Sequence, residues 1–247
     1  MDQLLPSPVD NIDVSETLAS ESRPAPKGRP WVLANMISSI DGAIAIDGVS
    51  GGLGGLADKE VFSALRALVD VIIVGSGTVV AEDYRRPQTS PAHQAARIER
   101  GQNPFPRLAI VSARLSIEPD HRVFDPEAPP MIITHGASPI DRRERLAEHS
   151  EVIIAGDTEV DLTTALSELA DRGTATVLLE GGPSLNGAML ANDLIDEMSV
   201  TVAPMLVGGS GGRMLAGNHT TQPLDMDLVR TLHQDGYLFH RYVRQAG

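Results

Sequence analysis

Residues 177–190 read VLLEGGPSLNGAML. An apolar run of strand length ends in the carboxylate Glu180, passes through Gly181-Gly182, and enters a small-residue helix starting at Pro183. Strand, glycine turn and helix form the unit of a parallel α/β sheet, with the turn at the strand's carboxyl end. The charge is the anomaly. Buried at a strand end, a carboxylate is costly unless a partner or a ligand meets it. Two readings of Glu180 stand open: a contact to a ligand at the sheet's rim, or a salt bridge or helix cap.

The same unit recurs on either side. WVLANMI (31–37), VIIVG (71–75), RLAIV (107–111), MIIT (131–134), EVIIA (151–155) and TVLLE (176–180) are short and almost continuously apolar, as strands covered on both faces should be. Helical spacing predicts helices over 58–69, 140–149, 161–172 with Gly173 as the stop, and 183–191. The end of the chain changes character. MSVTVAPMLV (198–207) is a longer strand, and TLHQDGYLFHRYV (231–243) places Asp235-Gly236 between two alternating segments, a hairpin signal. The expectation is one α/β domain with a mostly parallel central sheet flanked by helices and antiparallel C-terminal strands. Residues 82–106, polar and proline-containing, read as a long loop.

Composition removes several function classes. With 33 acidic and 20 basic side chains the formal charge is −13, so polyanions are repelled, and neither nucleic acid nor an anionic membrane is expected as a partner. Any phosphate has to be held by local geometry. No cysteine is present, and the seven histidines, His219 among them, form no close ligand pair, so they read as solvated or packed and no metal site is expected. Residues 1–28 are acidic, rich in proline and serine, and lack the apolar core of a signal peptide or membrane span. They read as a disordered tail on a cytoplasmic protein, with residues 29–247 as the folded domain.

Three glycine-rich stretches look like ligand cradles. Gly52-Leu53-Gly54-Gly55-Leu56-Ala57 matches the dinucleotide fingerprint formally, but it lies about a dozen residues past the first strand, where that motif needs the strand immediately before it. A glycine loop closing over a ligand fits it, and so does a plain connector. Gly75-Ser76-Gly77-Thr78 sits in the right context, at a strand end where a helix begins, and no P-loop lysine follows. The opening stretch is the third. Two strand-to-helix cradles on one parallel sheet open on the same rim, where a pyrophosphate fits.

Taken in order, Ser38-Ser39-Ile40-Asp41-Gly42, Ser50-Gly51-Gly52, Leu65-Arg66-Ala67, Gly75-Ser76-Gly77-Thr78, Glu82-Asp83, Pro106-Arg107 and Leu179-Glu180-Gly181-Gly182 resemble the reductase domain of bacterial riboflavin biosynthesis. That family shares its fold with dihydrofolate reductase. The resemblance spans about residues 30–243, and the deaminase half that accompanies the family's reductase is absent, since its zinc site needs cysteines. It implies an NADPH-dependent reduction of 5-amino-6-(5-phosphoribosylamino)uracil to the ribitylamino compound, and a homodimer.

Carried over by position, the resemblance places NADPH at Ile37, Gly52, Thr78, Glu82, Ser112 and the run from Gly182 through Pro183, Ser184, Leu185 and Asn186. Gly75 joins them through its cradle, and Arg114, two residues beyond Ser112, is an expected partner of the cofactor's 2′-phosphate. Substrate falls on Ser50, Arg66 and Glu180, with Asp41 at the floor of the cleft. Asp41 and Glu180 are the acids available for catalysis, although Asp41 equally suits a tight-turn cap and Arg66 an ordinary helix surface. One departure touches the substrate: where the family continues with Pro, Leu-Thr and an Arg, this chain has Tyr84-Arg85-Arg86-Pro87-Gln88-Thr89, with Thr89 at the Arg position. Dihydrofolate or another pterin is therefore the rival substrate, and a non-catalytic NADPH-binding protein the rival class.

Overall fold

In the computed structural model, which describes residues 1–217 and 223–245, the predicted strands line up in one sheet. His219 and residues 246–247 of the expected domain lie outside the described residues. In chain order the elements are β1 (Asp2–Leu5), α1 (Val14–Ala19), β2 (Trp31–Ser39), α2 (Leu56–Leu68), β3 (Val71–Gly75), α3 (Ser76–Ala81), α4 (Pro91–Glu99), β4 (Arg107–Val111), β5 (Met131–Thr134), α5 (Ile140–Ala147), β6 (Glu151–Ile154), α6 (Leu162–Asp171), β7 (Thr176–Leu179), α7 (Pro183–Ala191), β8 (Glu197–Ala203), β9 (Met226–Gln234) and β10 (Tyr237–Arg244). Strand order is β1-β9-β10-β8-β2-β7-β3-β4-β5-β6. From β8 to β6 every pairing is parallel, whereas β10, β9 and β1 add on antiparallel. The fold class is as expected.

Period-two alternation inside the central strands sorts the core into two layers. Ile72, Val74, Leu33, Ile110 and Leu178 point to the side covered by α1 and α2, while Val71, Ile73, Val32, Ala109 and Leu179 point to the side covered by α6 and α7. Each fully buried Ile or Leu contributes about 1.5–3 kcal/mol relative to exposure. The hairpin turn is where it was read. Asp235 and Gly236 both have positive φ, 52° and 82°, as a type I′ turn requires.

Strand order also fixes where a ligand can enter. The chain runs from β2 past one place to β3, goes outward through β4, β5 and β6, and returns to insert β7 between β2 and β3 before placing β8 on the far side of β2. Such a reversal opens a crevice at the carboxyl ends of the strands concerned.

Two expectations fail. Residues 1–28 are not a disordered tail: β1 pairs with β9, α1 is capped by the Asp13 side chain, and Val14 and Leu18 are 2% and 1% exposed in the core. Arg23 completes the docking by reaching Glu197 on β8 with Nε and Nη2, each at 3.0 Å. Composition hid this because the downstream partners of Arg23 and Glu21 lie 174 and 209 residues away, at Glu197 and Arg230. The second failure is the long loop over 82–106, which contains α4, capped by Ser90 with Pro91 in its first turn. Arg97 of α4 plugs the end of α2, donating from Nη1 to the Val69 carbonyl at 2.6 Å and to that of Ala67 at 3.1 Å. Among the described residues no helix is long and apolar enough to cross a membrane.

Candidate active site

At the crevice between β2, β7 and β3 lies a cleft of about 770 Å³. Its walls come from β2, the 44–54 loop, α2, the start of α3, residues 82–88 and the turn from β7 into α7. Two helix N-termini open on it, α3 through Gly77 and Thr78 and α7 through Gly182 and Pro183. They are locked together. The Gly75 N–H donates to the Gly181 carbonyl at 2.6 Å, and a Cβ at Gly182 would stand 2.5 Å from the Thr78 hydroxyl, so that position has no room for a side chain. Beside α7, Asn186 is 1% exposed and donates from its amide to the Met214 carbonyl at 2.8 Å, which leaves its Oδ1 in the cleft wall without a partner. Unpaired helix-terminal N–H groups and an orphaned amide oxygen suit a group carrying both a pyrophosphate and hydrogen-bond donors.

Glu180 stands at the other end of this wall, one residue past β7. Its side chain is 2% exposed, and both oxygens are occupied: Arg66 donates from Nε to Oε1 and from Nη2 to Oε2, each at 2.7 Å, and the Tyr84 hydroxyl donates to Oε2 at 2.7 Å. Arg66 also lies 4.1 Å above the Phe62 ring. Burial works against the charged guanidinium, yet the Glu180 carboxylate beside it outweighs that and raises its pKa. Burial, with the same carboxylate behind it, pushes the Tyr84 hydroxyl well up, so Tyr84 stays a donor. Glu180 is therefore ion-paired, as the salt-bridge reading has it, and it also lines the cleft.

The structure brings together most of the expected site. Ile37, Ser50, Arg66, Thr78, Glu82, Glu180, Gly182, Pro183 and Asn186 all line the cleft. Glu82 does so while accepting from the Ser50 N–H at 2.8 Å and hydroxyl at 3.0 Å, which ties the glycine loop down across the opening. Gly52 belongs to that loop but faces Ile46, and Gly75 serves the lock between cradles. Ser184 is exposed on α7 and Leu185 is packed in the core.

Three placements are corrections. Asp41 is exposed and is not the cleft floor: it accepts from the Ser39 hydroxyl at 2.5 Å and from the Gly208 and Val207 N–H groups at 2.7 and 3.2 Å, as a turn cap does. Those bonds, the Ser39 hydroxyl first, hold its pKa at about 2. Ser112 is buried just past β4, where its hydroxyl accepts from the Leu115 N–H at 3.0 Å, and so it is committed to its own loop. Arg114 is exposed and outside the cleft wall, one strand over from the α3 cradle. Thr89, at the position of the family's Arg, is buried and donates to the Pro104 carbonyl away from the cleft.

A scan against protein-family models matches residues 30–237 to the RibD C-terminal domain. The chain belongs to that family. A 2,5-diamino-6-ribosylamino-4(3H)-pyrimidinone 5′-phosphate reductase of Methanothermobacter thermautotrophicus is 35% identical over 187 residues, covering 76% of this chain and 83% of that protein. The riboflavin biosynthesis protein RibD of Mycobacterium tuberculosis is 34% identical over 183 residues, 74% of this chain but 44% of that longer protein. Among solved structures, a pyrimidine reductase-like protein of Corynebacterium diphtheriae superposes with a TM-score of 0.82 at 24% identity, over 96% of this chain and all of that one. A dihydrofolate reductase of Enterococcus faecalis complexed with NADP(H) reaches 0.50 at 10% identity, over 87% of this chain and 97% of that one, a likeness of fold alone. This member of the RibD C-terminal domain family is thus an oxidoreductase of the riboflavin-pathway reductase type, without a deaminase domain in the chain described.

Several cleft residues escaped the sequence reading, Tyr84, Asn35 and Asp58 among them. Asn35 sits inside the buried strand β2, where a carboxamide is as anomalous as Glu180 was at the end of β7, so the same clue was available. Asp58, in the first turn of α2, offered no such clue, because an acid there is ordinary helix chemistry.

Proposed function

We propose that the chain is an NADPH-dependent reductase that converts the phosphoribosylamino chain of a riboflavin-pathway pyrimidine into its ribityl form. The observation that carries this is one cleft with two helix N-termini at one end and the Arg66–Glu180–Tyr84 cluster at the other. When bound, a reduced nicotinamide supplies a hydride to the sugar carbon once the ring has opened to its imine-like form, and a proton from solvent or an acid completes the reduction. The chain's own groups do the positioning. Thr78, Gly182, Pro183 and Asn186 would hold the dinucleotide, and the Ser50–Glu82 tie would keep the loop across it. Glu180, held by Arg66 and Tyr84, would orient the sugar hydroxyls, while the Arg66 guanidinium attracts the substrate phosphate.

The substrate is either the 2,5-diaminopyrimidinone for which the Methanothermobacter thermautotrophicus relative is named or the deaminated uracil that the sequence resemblance implies. A homodimer belongs to the same proposal. Its support is the half-buried face formed by Met198, Val200 and Val202 of β8 with Leu238 and Tyr242 of β10. The test is to add NADPH and each pyrimidine phosphate and to follow the loss of reduced-nicotinamide absorbance. Turnover on either substrate supports the proposal. NADPH binding without turnover on any pyrimidine would overturn it in favour of a binding protein.

A further inference from the structure

The glycine loop between β2 and α2 has one end in the cleft wall and one end fixed, and the fixed end is made by the antiparallel strands. Leu53 is 0% exposed, and its carbonyl accepts from the Tyr237 hydroxyl at 3.0 Å. Just past it, a Cβ at Gly54 would stand 2.7 Å from Asp58 Oδ2, and one at Gly55 would stand 2.9 Å from the Tyr237 hydroxyl and 3.1 Å from its ring. Neither glycine lies in the positive-φ region, so space and not backbone conformation calls for them. The formal fingerprint over 52–57 thus has a different meaning here. Its last two glycines let the chain pass between two posts.

Both posts are set by the far end of the sheet. Asp58 accepts from the Thr201 hydroxyl of β8, and Thr201 pairs in register with Phe239 of β10. Tyr237 stands two residues before Phe239 on the same face, with the two rings stacked 6.2 Å apart. Burial, and after it the Asp58 carboxylate, raises the Tyr237 pKa, so the hydroxyl stays a donor. On the other side of the fixed point the loop turns back at once. The Leu53 N–H donates to the Ser50 carbonyl at 3.0 Å, and Ser50 donates from its own N–H and hydroxyl to Glu82. Leu53 is therefore held through its carbonyl by β10 and through its N–H by the residue in the cleft wall, and a shift at the first bond is passed to Ser50 through one tight turn.

Glu82 meets Ser50 from across the opening, whereas the Tyr237 bond meets the loop from behind. We propose that Tyr237 is a positioning residue of the reductase, which holds the glycine loop by its Leu53 carbonyl so that Ser50 keeps its place in the cleft wall. The β9–β10 hairpin thereby takes part in the working site although none of its residues lines the cleft. This rests on the reductase reading above and on Ser50 as the substrate contact that the family resemblance implies.

Two variants remove the same bond from opposite sides. Tyr237→Phe keeps the ring and its stacking and loses only the hydroxyl, and Gly55→Ala brings in a methyl group that displaces the hydroxyl. Each should lower kcat/KM for the pyrimidine phosphate by about 10-fold, mainly through KM, with the melting temperature nearly kept. Ser50→Ala combined with Tyr237→Phe should lose little more than Ser50→Ala alone, because residues acting through one another are not additive. Effects that multiply would overturn the proposal, as would an unchanged kcat/KM in Tyr237→Phe. Hydrogen exchange on the ligand-free protein reads the loop without turnover. Residues 44–54 should exchange about 10-fold faster in both variants while β9 and β10 keep their protection, and unchanged loop exchange would refute the anchor. A tyrosine that only stabilises the fold would instead lower the melting temperature and speed exchange in β9 and β10, with kcat/KM per folded molecule as it was. If the unaltered protein reduces neither pyrimidine, the reductase reading fails by itself, and faster loop exchange beside protected strands still supports the anchor.

Discussion

Two buried carboxylates, Glu197 and Glu180, are built alike and placed differently. Glu197 is 1% exposed and accepts from Arg23, Arg241 and the Trp31 indole, with bonds of 2.8–3.1 Å. Burial pushes its pKa up, and Arg241 and Arg23 outweigh that and hold it below the ordinary range. The Glu180 side chain is 2% exposed and is met by Arg66 and Tyr84 at 2.7 Å. Pairing and burial do not separate the two. Glu180 lines the cleft and Glu197 does not, so the first can exchange a partner for a ligand while the second joins the N-terminal segment to the antiparallel end of the sheet.

The largest expected effect tests the structural half of that contrast. Removing residues 1–28 deletes β1, exposes the core beneath Val14 and Leu18, and strips Arg23 from Glu197. Breaking a buried pair of this kind costs about 3–5 kcal/mol before the lost apolar packing is added. Urea unfolding of the shortened chain should show a sharply lower midpoint or no cooperative transition, and an unchanged midpoint would make the segment an accessory. Glu197→Gln should move stability in the same direction and leave turnover per folded molecule as it was.

Glu180→Gln should give the opposite profile. The amide keeps the shape and loses the charge, so turnover should fall by about 100-fold while NADPH affinity holds. Stability should drop by only about 1–3 kcal/mol, because water in the cleft reaches the Arg66 side. Measuring melting temperature, NADPH affinity and turnover on both variants is the check. Equal losses of stability and turnover in the two variants would erase the distinction between them.

The smallest effect belongs to Asp41. Its pKa is lowered from 3.8 to about 2 in the fold, so the stability it contributes is fully present above pH 3.8 and fades as pH falls toward 2. Asp41→Asn should flatten the acid limb of the melting-temperature profile in that window, with turnover at neutral pH unaltered. A large loss of turnover would return Asp41 to the cleft.

Legibility followed the range of the physics. β3, β4, β5 and α7 were readable to the residue because apolar continuity and a Pro start are local signals. The two cradles were readable for the same reason, as was the Asp235-Gly236 turn. Residues 1–28 were not, because an acidic, proline-rich segment acquires its partners only when Arg230, Arg241 and Glu197 are brought beside it. Asp41 was misplaced because a carboxylate after a Ser pair looks the same whether it faces a cleft or the N–H groups of Val207 and Gly208.

By itself the sequence determined the layer order, the parallel sheet, the glycine cradles and the family, all of which rest on spacing along the chain. Tertiary structure alone decided which charges answer one another. Arg66 and Glu180 are 114 residues apart, and Arg23 and Glu197 are 174 apart. Asn35 and Asp58 come to face one cleft only because β2, β8 and α2 converge there. Electrostatic pairing acts across a few ångströms of space whatever the separation in sequence, so it becomes visible only once the chain has folded.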